Sequence, residues 1–249
     1  MPLKLPPGAA RSSSTDAYVA CMLRRTWLGV ASSLVVAGCS SPADRSRHRY
    51  PVAGVRVRIL DLGESGAFRP AIEALPAATF LVAVNGGFFD GARRPVGLAV
   101  SEGRAFSPLD RALGGGVVWL RDKHLRLSAA ETFDEQGVDF AVQGRPRLVV
   151  DGQVNIRRDD GRRAARMALC LRDGGRTLEL VHRVADDASA GPTLFELAHE
   201  LVACGCEGAL NLDGGPSVGW AEQIGGALEL VEPRTPIRHA IVIERMKVE

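Results

Sequence analysis

The chain has 249 residues, of which 46% are hydrophobic and 24% charged, and this composition is typical of a protein with a sizeable buried core. Aromatic residues make up only 5% while 28 residues are glycine, a balance that favours strands joined by tight turns over a helical bundle. The formal net charge is +2, and the first 38 residues carry four basic groups against one acidic group. The remainder is almost neutral, which argues against nucleic acid as the main partner.

The N-terminal region has the pattern of an export signal. Arg24 and Arg25 precede an apolar run over residues 27–37, which is shorter than a comfortable membrane span. The run ends in Val-Ala-Gly before Cys39, as in a bacterial lipobox, where small residues permit cleavage and the cysteine thiol then carries lipid. A plain cleaved signal with an incidental cysteine is the alternative. We expect an exported cell-envelope lipoprotein that contacts the membrane through the lipid on Cys39.

These signals divide the chain into four segments. Residues 22–38 are predicted to be the lipoprotein signal peptide, and Met22 is a natural start for it. Residues 1–21 are then interpreted as an extension from a start codon assigned too early. Residues 39–51 are predicted to be a tether, and residues 52–249 to form a single domain.

From residue 52 onward the chain is predicted to form many short strands. Residues 55–60 alternate apolar and basic side chains, as a half-exposed strand does, whereas residues 80–84 are continuously apolar and predict a buried strand. Glycines and Asp-Gly pairs separate the other predicted strands. These cover residues 96–101, 117–121, 124–127, 138–143, 148–151, 166–171, 177–182, 209–212, 227–231 and 240–244.

Two helices are predicted among the strands, a weak one over residues 68–75 and a strong one over residues 194–203. Thr193 and Glu196 have the spacing of a capping box, and Gly205 is a natural stop after the apolar face of the second helix. The predicted fold class is α+β, a single domain with a strand-rich mixed sheet and a few packed helices.

Two strand ends combine polar residues with paired glycines. The first predicted strand end has Asn85, Gly86 and Gly87, followed by Phe88 and Phe89, which could wall a pocket. Adjacent glycines allow backbone shapes closed to other residues, and their amides can bind an anion. The alternative is a tight turn with hydrophobic anchors.

The second strand end is Asn211-Leu-Asp213, followed by Gly214 and Gly215. Asn211 and Asp213 alternate around Leu212 and therefore point to the same face of the strand. A carboxylate at the end of a buried strand is costly unless it has a partner or a function. An Asp-Gly hairpin turn is the alternative for this motif taken alone.

Arginines near two other strands are candidate anion ligands. Gln143 ends a strand, and Arg145 and Arg147 lie on either side of a proline just after it, although solvated surface arginines are more common. Arg166 opens an apolar strand, so its charge is expected to meet an anion or a partner carboxylate.

Several familiar catalytic patterns are missing from the sequence. The five histidines form no metal-binding spacing; His199 is predicted to be solvated and His182 to be an ordinary strand histidine. No G-x-S-x-G, phosphate-binding loop or dinucleotide fingerprint occurs. The five cysteines form no C-x-x-C pair, so zinc has little support, and we expect mostly free thiols or one bridge involving Cys170.

At these motifs the sequence resembles the phosphodiester glycosidase family over about residues 52–246. The resemblance is carried by Asn85-Gly-Gly-Phe-Phe89, Gln143-Gly-Arg-Pro146, Leu148, Asp151-Gly152, Arg166, Thr193-Leu-x-Glu-Leu-Ala198, Asn211-Leu-Asp-Gly-Gly215, Ser217, Arg234 and Ala240-Ile-Val-Ile243. The chain departs from the family pattern at Met167, where a small hydroxyl residue is usual, and at Pro216, where Gly or Ser is usual. Both positions are expected to touch the pocket.

The resemblance implies an exported hydrolase that cleaves a sugar-1-phosphodiester at the glycosidic C–O bond of an envelope or extracellular glycan. Phosphate leaves easily, so the reaction needs mainly a carboxylate and a cation that holds phosphate. The implied catalytic residues are Asp213 as the carboxylate, Arg166 as the phosphate ligand, and Asn85. The implied substrate-binding residues are Gly86, Gly87, Gln143, Arg145, Asn211, Gly214, Gly215 and Ser217. Arg147 can substitute for Arg145, and Asp90 is a candidate second carboxylate.

Two other functions fit the same residues. In a metal-assisted phosphodiesterase, Asp213, Asn211 and Asn85 would be oxygen ligands for Ca²⁺ or Mg²⁺, and the P–O bond would break. A non-catalytic envelope lipoprotein would bind sugar-phosphate polymers without turning them over. No cofactor other than such a metal ion is expected.

Overall fold

The computed structural model describes residues 45–184 and 190–246. The predicted signal peptide, the extension over residues 1–21 and the predicted lipid site Cys39 lie outside these residues. In the described part of the chain, no helix is long and apolar enough to cross a membrane. Strands dominate it, and the predicted α+β class with a single strand-rich domain is confirmed.

The described residues form sixteen strands and two helices. In chain order these are β1 (Arg47–Pro51), β2 (Val55–Asp61), α1 (Phe68–Glu73), β3 (Phe80–Asn85), β4 (Ala99–Ser101), β5 (Arg104–Ser107), β6 (Gly116–Arg121), β7 (His124–Ala129), β8 (Phe140–Gly144), β9 (Arg147–Val150), β10 (Gln153–Val154), β11 (Arg166–Arg172), β12 (Thr177–Arg183), α2 (Leu194–Ala203), β13 (Gly208–Asn211), β14 (Trp220–Ile224), β15 (Ala227–Val231) and β16 (His239–Arg245).

The strands lie in three sheets instead of the single mixed sheet that was predicted. The first sheet has the order β1-β12-β11-β13-β9-β10, the second β15-β14-β3-β16-β2 and the third β5-β4-β8-β6-β7. Every strand pairing in them is antiparallel. Turns of two residues close several hairpins, such as Asp122-Lys123 and Gly225-Gly226, with φ values of 50°, 60°, 58° and 89°. Such turns join antiparallel neighbours, whereas parallel strands need long crossovers.

The folded domain begins earlier than the sequence predicts, because Arg47–Pro51 of the predicted tether form β1. This strand pairs with β12 along its whole length. The side chains of Arg47 and Arg49 each donate from Nε to Glu179 on β12 at 2.7 Å. A buried carboxylate therefore draws the segment onto the edge of the first sheet.

The main core lies between the sheets and takes apolar side chains from all three, including Val84, Val142 and Leu169. Met167 is fully buried in this core. The expectation that Met167 touches the pocket is therefore wrong: its side chain faces the interior, opposite to the side chain of Arg166. A small hydroxyl residue at this position would leave core volume unfilled.

Helix α2 covers the other face of the first sheet. Its N-terminus has the predicted capping box, in which Thr193 Oγ1 accepts from the amide of Glu196 at 3.1 Å and Glu196 Oε2 accepts from the amide of Thr193 at 3.0 Å. A disulfide between Cys170 and Cys206 joins β11 to the turn that follows α2. This is the single bridge involving Cys170 that the sequence left as one of two alternatives.

Candidate functional site

Strand ends from all three sheets meet at one place. The Nδ2 of Asn85, at the end of β3, donates to the backbone oxygen of Asp213 at 2.8 Å, and the amide of Asp213 donates to the oxygen of Gly86 at 3.4 Å. A Cβ atom at Gly87 would lie 3.0 Å from the backbone oxygen of Gln143 in β8. The two Asn/Gly-Gly motifs are thus direct neighbours, as the hypothesis of one shared site requires.

Asn85 holds this junction together. Its side chain is buried, its Nδ2 also reaches the oxygen of Gly86 at 3.3 Å, and its Oδ1 accepts from the amide of Gly219 at 3.3 Å. The amide group is therefore engaged at both ends by backbone. Asn85 fixes the position of Asp213, and the predicted direct catalytic role does not fit this geometry.

Asp213 is a partly buried carboxyl with a shifted pKa. Burial raises the pKa of its carboxyl above the ordinary value, and hydrogen bonds from the Ser217 hydroxyl and the Gly214 amide only partly oppose this. The Gly214 amide lies 2.9 Å from Oδ1 of Asp213. The backbone amide of Gly215 also has an acceptor, since it donates to the backbone oxygen of Ala165 at 2.8 Å. These glycines keep the backbone close-packed, and their amides already have protein acceptors.

Arg166 lies across the strand pair from Asp213. Ala168 of β11 is opposite Asn211 of β13, where the paired register ends. The amide of Leu212 still donates to the oxygen of Met167 at 2.9 Å, so the antiparallel course brings Arg166 and Asp213 to facing positions just beyond the register. A Cβ atom at Gly214 would lie 3.9 Å from Cδ of Arg166. The two positions are therefore neighbours in the backbone, although the guanidinium of Arg166 is directed to other residues and forms no ion pair with Asp213.

The charge of Arg166 is not balanced by a nearby carboxylate. Its Nε donates to the oxygen of Pro192 at 3.2 Å and its Nη2 to the oxygen of Arg162 at 2.5 Å. It forms no ion pair with a residue in the described ranges. Burial lowers the pKa of Arg166, and the more distant Asp160 opposes the shift. A half-buried guanidinium that remains charged and lacks a carboxylate partner is suited to bind an anion.

Asn211 has a side-chain acceptor without a hydrogen-bond partner at the same junction, among the described residues. Its Nδ2 donates to the backbone oxygen of Arg145 at 2.7 Å, which fixes the orientation of the amide. Its Oδ1 is buried and has no hydrogen-bond partner in the described part of the chain. Buried acceptors normally have a partner, so this oxygen is a candidate for a ligand hydroxyl, and the substrate-binding role of Asn211 stays a prediction.

Three other candidates do not fit their predicted roles. Both polar atoms of the Gln143 side chain form hydrogen bonds within the protein. Its Oε1 accepts from the amide of Leu98 at 2.9 Å, and its Nε2 donates to the backbone oxygen of Asp110 at 2.7 Å. Asp90 accepts hydrogen bonds from Arg94 and from backbone amides of its own turn, and these contacts lower its pKa. The side chain of Arg145 is exposed, and only its backbone oxygen contacts the site.

His239 is a site residue that sequence reasoning missed. It opens β16, and its Nε2 accepts from the amide of Gly87 at 2.9 Å, while its backbone oxygen accepts from the amide of Gly86 at 2.9 Å. Gly86 must be glycine, because a Cβ there would collide with the imidazole. Both amides are therefore occupied, and the predicted anion nest of Gly86 and Gly87 is wrong. No local motif marked His239, since its partner Gly87 is 152 positions away.

The imidazole of His239 is neutral and has an unpaired donor. Burial lowers the pKa of His239 to about 4, and Arg238 lowers it further while Asp61 opposes the shift. Because Nε2 accepts a hydrogen bond, the proton of the neutral ring is on Nδ1. Nδ1 is buried and has no hydrogen-bond partner among the described residues. Such an unpaired donor costs about 1–3 kcal/mol.

The predicted metal ligands form an incomplete set. Among the described residues, no group of three or more His, Cys, Asp and Glu side chains could hold a metal ion. Of the three predicted oxygen donors, Asn85 is engaged by backbone, which leaves the carboxylate of Asp213 and Oδ1 of Asn211. Two donors are fewer than the six to eight oxygen ligands of Ca²⁺, whereas Mg²⁺ is commonly held by one or two carboxylates and completes its shell with water, so a bound metal ion stays a prediction.

Comparison with known proteins shows the family to which the chain belongs. A profile of the phosphodiester glycosidase family matches residues 78–244. No curated protein matches the chain significantly. The structure resembles the catalytic domain of zebrafish N-acetylglucosamine-1-phosphodiester alpha-N-acetylglucosaminidase, auto-inhibited by its pro-peptide, with a TM-score of 0.60 and 19% identity over 79% of this chain and 74% of that one.

Two bacterial structures show the same fold. A hypothetical protein from Synechocystis has a TM-score of 0.55 and 16% identity over 80% of this chain and 59% of its own. A candidate exported protein from Burkholderia pseudomallei has a TM-score of 0.52 and 15% identity over 78% of this chain and 72% of its own. The family match spans more than half of the chain and includes both Asn/Gly-Gly strand ends. The chain therefore belongs to the phosphodiester glycosidase family.

Proposed function

We propose that this protein is an exported hydrolase that cleaves a sugar-1-phosphodiester at the glycosidic C–O bond of an envelope or extracellular glycan. The observation that carries the proposal is the placement of Asp213 and Arg166 at facing positions of β13 and β11. Asp213 is a carboxyl of raised pKa, and Arg166 is a half-buried cation that forms no ion pair in the described ranges. A sugar phosphodiester presents one reacting carbon and one anion, which match these two groups. The zebrafish relative is named for action on N-acetylglucosamine-1-phosphodiester.

In the proposed reaction, water attacks the anomeric carbon and the C1–O bond breaks. The bonding electrons leave with the phosphate monoester, which Arg166 holds, so the leaving group needs no proton. Asp213 accepts the proton that water loses as the new hydroxyl forms on the sugar. Its raised pKa makes it a stronger base than an exposed aspartate, and Asn85 and Ser217 keep it in position. Oδ1 of Asn211 accepts from a sugar hydroxyl.

Export and lipid attachment at Cys39 are part of the same proposal. The buried Cys170–Cys206 disulfide supports export, because disulfides form and persist mainly in oxidising compartments. The lipobox residues before Cys39 support the anchor. A Cys39→Ser variant is expected to lose fatty-acid labelling and membrane association; labelling equal to the wild type would contradict the anchor.

Turnover in oxygen-18 water tests the reaction. The substrate is the methyl phosphodiester of N-acetylglucosamine-1-phosphate, assayed with and without a chelator. We expect free sugar and methyl phosphate, no label in the methyl phosphate, and equal rates in both conditions, because Arg166 supplies the positive charge. Label in the phosphate together with loss of activity in chelator would instead indicate metal-assisted P–O cleavage. Binding without product after long incubation would indicate a glycan-binding protein.

A further inference from the structure

An exposed aromatic side chain covers His239 at the rim of the site. Phe106 of β5 is 36% exposed, which is unusual for a large apolar residue here, and its ring meets the imidazole edge-on at 5.7 Å between centroids. β5 is the edge strand of the third sheet, whereas His239 belongs to the second. The contact therefore joins two sheets at the junction that also holds Asp213.

The backbone of β5 is shaped to aim Phe106. Ser107 pairs with Ala99 and Ala105 pairs with Val100, so Phe106 is the extra residue of a β-bulge. Bulges redirect a side chain and occur often beside active sites. A phenyl ring that stays partly exposed gains little free energy from burial, so burial alone does not explain the position of Phe106. The bulge instead presents the ring to the imidazole of His239, whose Nδ1 has no partner in the described residues.

We propose that Phe106 and His239 form the subsite for the sugar of the substrate. The phenyl ring stacks on the C–H face of a pyranose, and Nδ1–H of His239 donates to a hydroxyl or carbonyl oxygen of that sugar. An aromatic ring is only a weak acceptor for an N–H group, so a sugar oxygen would be the better partner for Nδ1–H. This inference rests on the proposed function and adds where the sugar lies.

The position of this subsite agrees with the rest of the site. Gly86 lies between His239 and Asp213 in the backbone hydrogen-bond network. Its amide donates to the backbone oxygen of His239, and its oxygen accepts from the amide of Asp213. Arg166 lies beyond Asp213, across the β11–β13 pair. In the proposed arrangement, the sugar lies on Phe106 and His239, the anomeric carbon lies near Asp213 and the phosphate extends towards Arg166.

Two variants of His239 separate sugar binding from support of the backbone. In His239→Asn, the amide nitrogen can replace Nδ1 as donor, but nothing reaches the amide of Gly87. In His239→Gln, the amide oxygen can reach the amide of Gly87 in place of Nε2, but the donor at the Nδ1 position is lost. The proposal predicts that KM for the methyl phosphodiester rises roughly tenfold or more in His239→Gln and at most threefold in His239→Asn. The opposite order would overturn it, because it would mean that His239 only supports Gly87.

Phe106 gives an independent test that does not threaten folding, since its side chain is exposed. Phe106→Ala is expected to raise KM about five- to tenfold with little change in kcat, and Phe106→Tyr to retain the wild-type KM. Met246→Ala, which removes another exposed apolar side chain, is the control and is expected to leave KM unchanged. An unchanged KM in Phe106→Ala would overturn the subsite.

Calorimetry with N-acetylglucosamine-1-phosphate distinguishes failure of this inference from failure of the proposed function. If the wild type hydrolyses no sugar phosphodiester, the proposed function fails, but weaker binding to Phe106→Ala than to the wild type still supports the subsite. If the wild type is active and both proteins bind this probe equally, the proposed function stands and the subsite is wrong.

Discussion

Replacing Asp213 with Asn is expected to lower kcat for a sugar-1-phosphodiester by about 10²–10⁴-fold, the usual contribution of a proton-transfer group. KM should change little, because the amide is similar in size and its oxygen can still accept from the amide of Gly214. Steady-state kinetics with the methyl phosphodiester of N-acetylglucosamine-1-phosphate measures both constants. Wild-type activity should also fall as the pH drops through the raised pKa of Asp213, since a base must be deprotonated to accept a proton.

Asp122→Asn is the matched control for this substitution. Asp122 lies in the exposed turn between β6 and β7 and has a φ of 50°, a conformation that Asn tolerates well. Its kinetics and its stability should both equal those of the wild type. Full turnover by Asp213→Asn would show that another group accepts the proton, and the proposed mechanism would then be wrong.

The largest loss of stability is expected from Glu179→Gln. Glu179 is fully buried, and its carboxylate contacts Arg47, Arg49 and Arg172 at 2.6–2.7 Å. The neutral amide would remove the counter-charge that the three guanidinium groups share. That of Arg47 is only 4% exposed and, of its carboxylate contacts in the described ranges, would keep only that with Glu200 at 3.2 Å. Removing one partner of a buried ion pair typically costs about 3–5 kcal/mol. Chemical denaturation should show this decrease in the free energy of unfolding.

Glu229→Gln is the control, because the pair of Arg45 and Glu229 is 65% and 37% exposed. Exposed pairs contribute about 0–1 kcal/mol, so its stability should change little. Burial alone would raise the pKa of Glu179, but the three arginines outweigh burial and lower it from 4.5 to about 2. The stabilisation is therefore present above about pH 4.5 and lost as the pH falls towards 2. Equal losses in the two variants would contradict the assigned role of Glu179.

Local signals predicted the local structure well. The T-x-x-E spacing before an apolar stripe predicted α2 with its correct bounds, because the capping contacts join residues three positions apart. Alternating or continuous apolar runs predicted most strands. The missed strands β1, β5, β10 and β14 are short or polar, and β1 forms because its arginines find Glu179 far along the chain.

Long-range contacts explain what the sequence could not predict in the site. Alternation around Leu212 placed Asn211 and Asp213 on one face, and the pairing of β11 with β13 brings Arg166 to a position that faces Asp213. Whether the amides of Gly86 and Gly87 were free depended on His239, which reaches them only because β16 pairs with β3. The position of Gln143 at a strand end predicted a ligand. The loop at Asp110, however, folds back onto Gln143 and bonds both polar atoms of its side-chain amide.

The claim that Asp213 and Arg166 form one site for a sugar phosphodiester is tested most directly by a crystal structure of Asp213→Asn bound to the uncleaved substrate. We predict that the phosphate lies within hydrogen-bond distance of the guanidinium of Arg166 and that the anomeric carbon faces residue 213. A substrate bound away from these two residues, or one whose phosphorus atom instead of its anomeric carbon faces residue 213, would contradict the account.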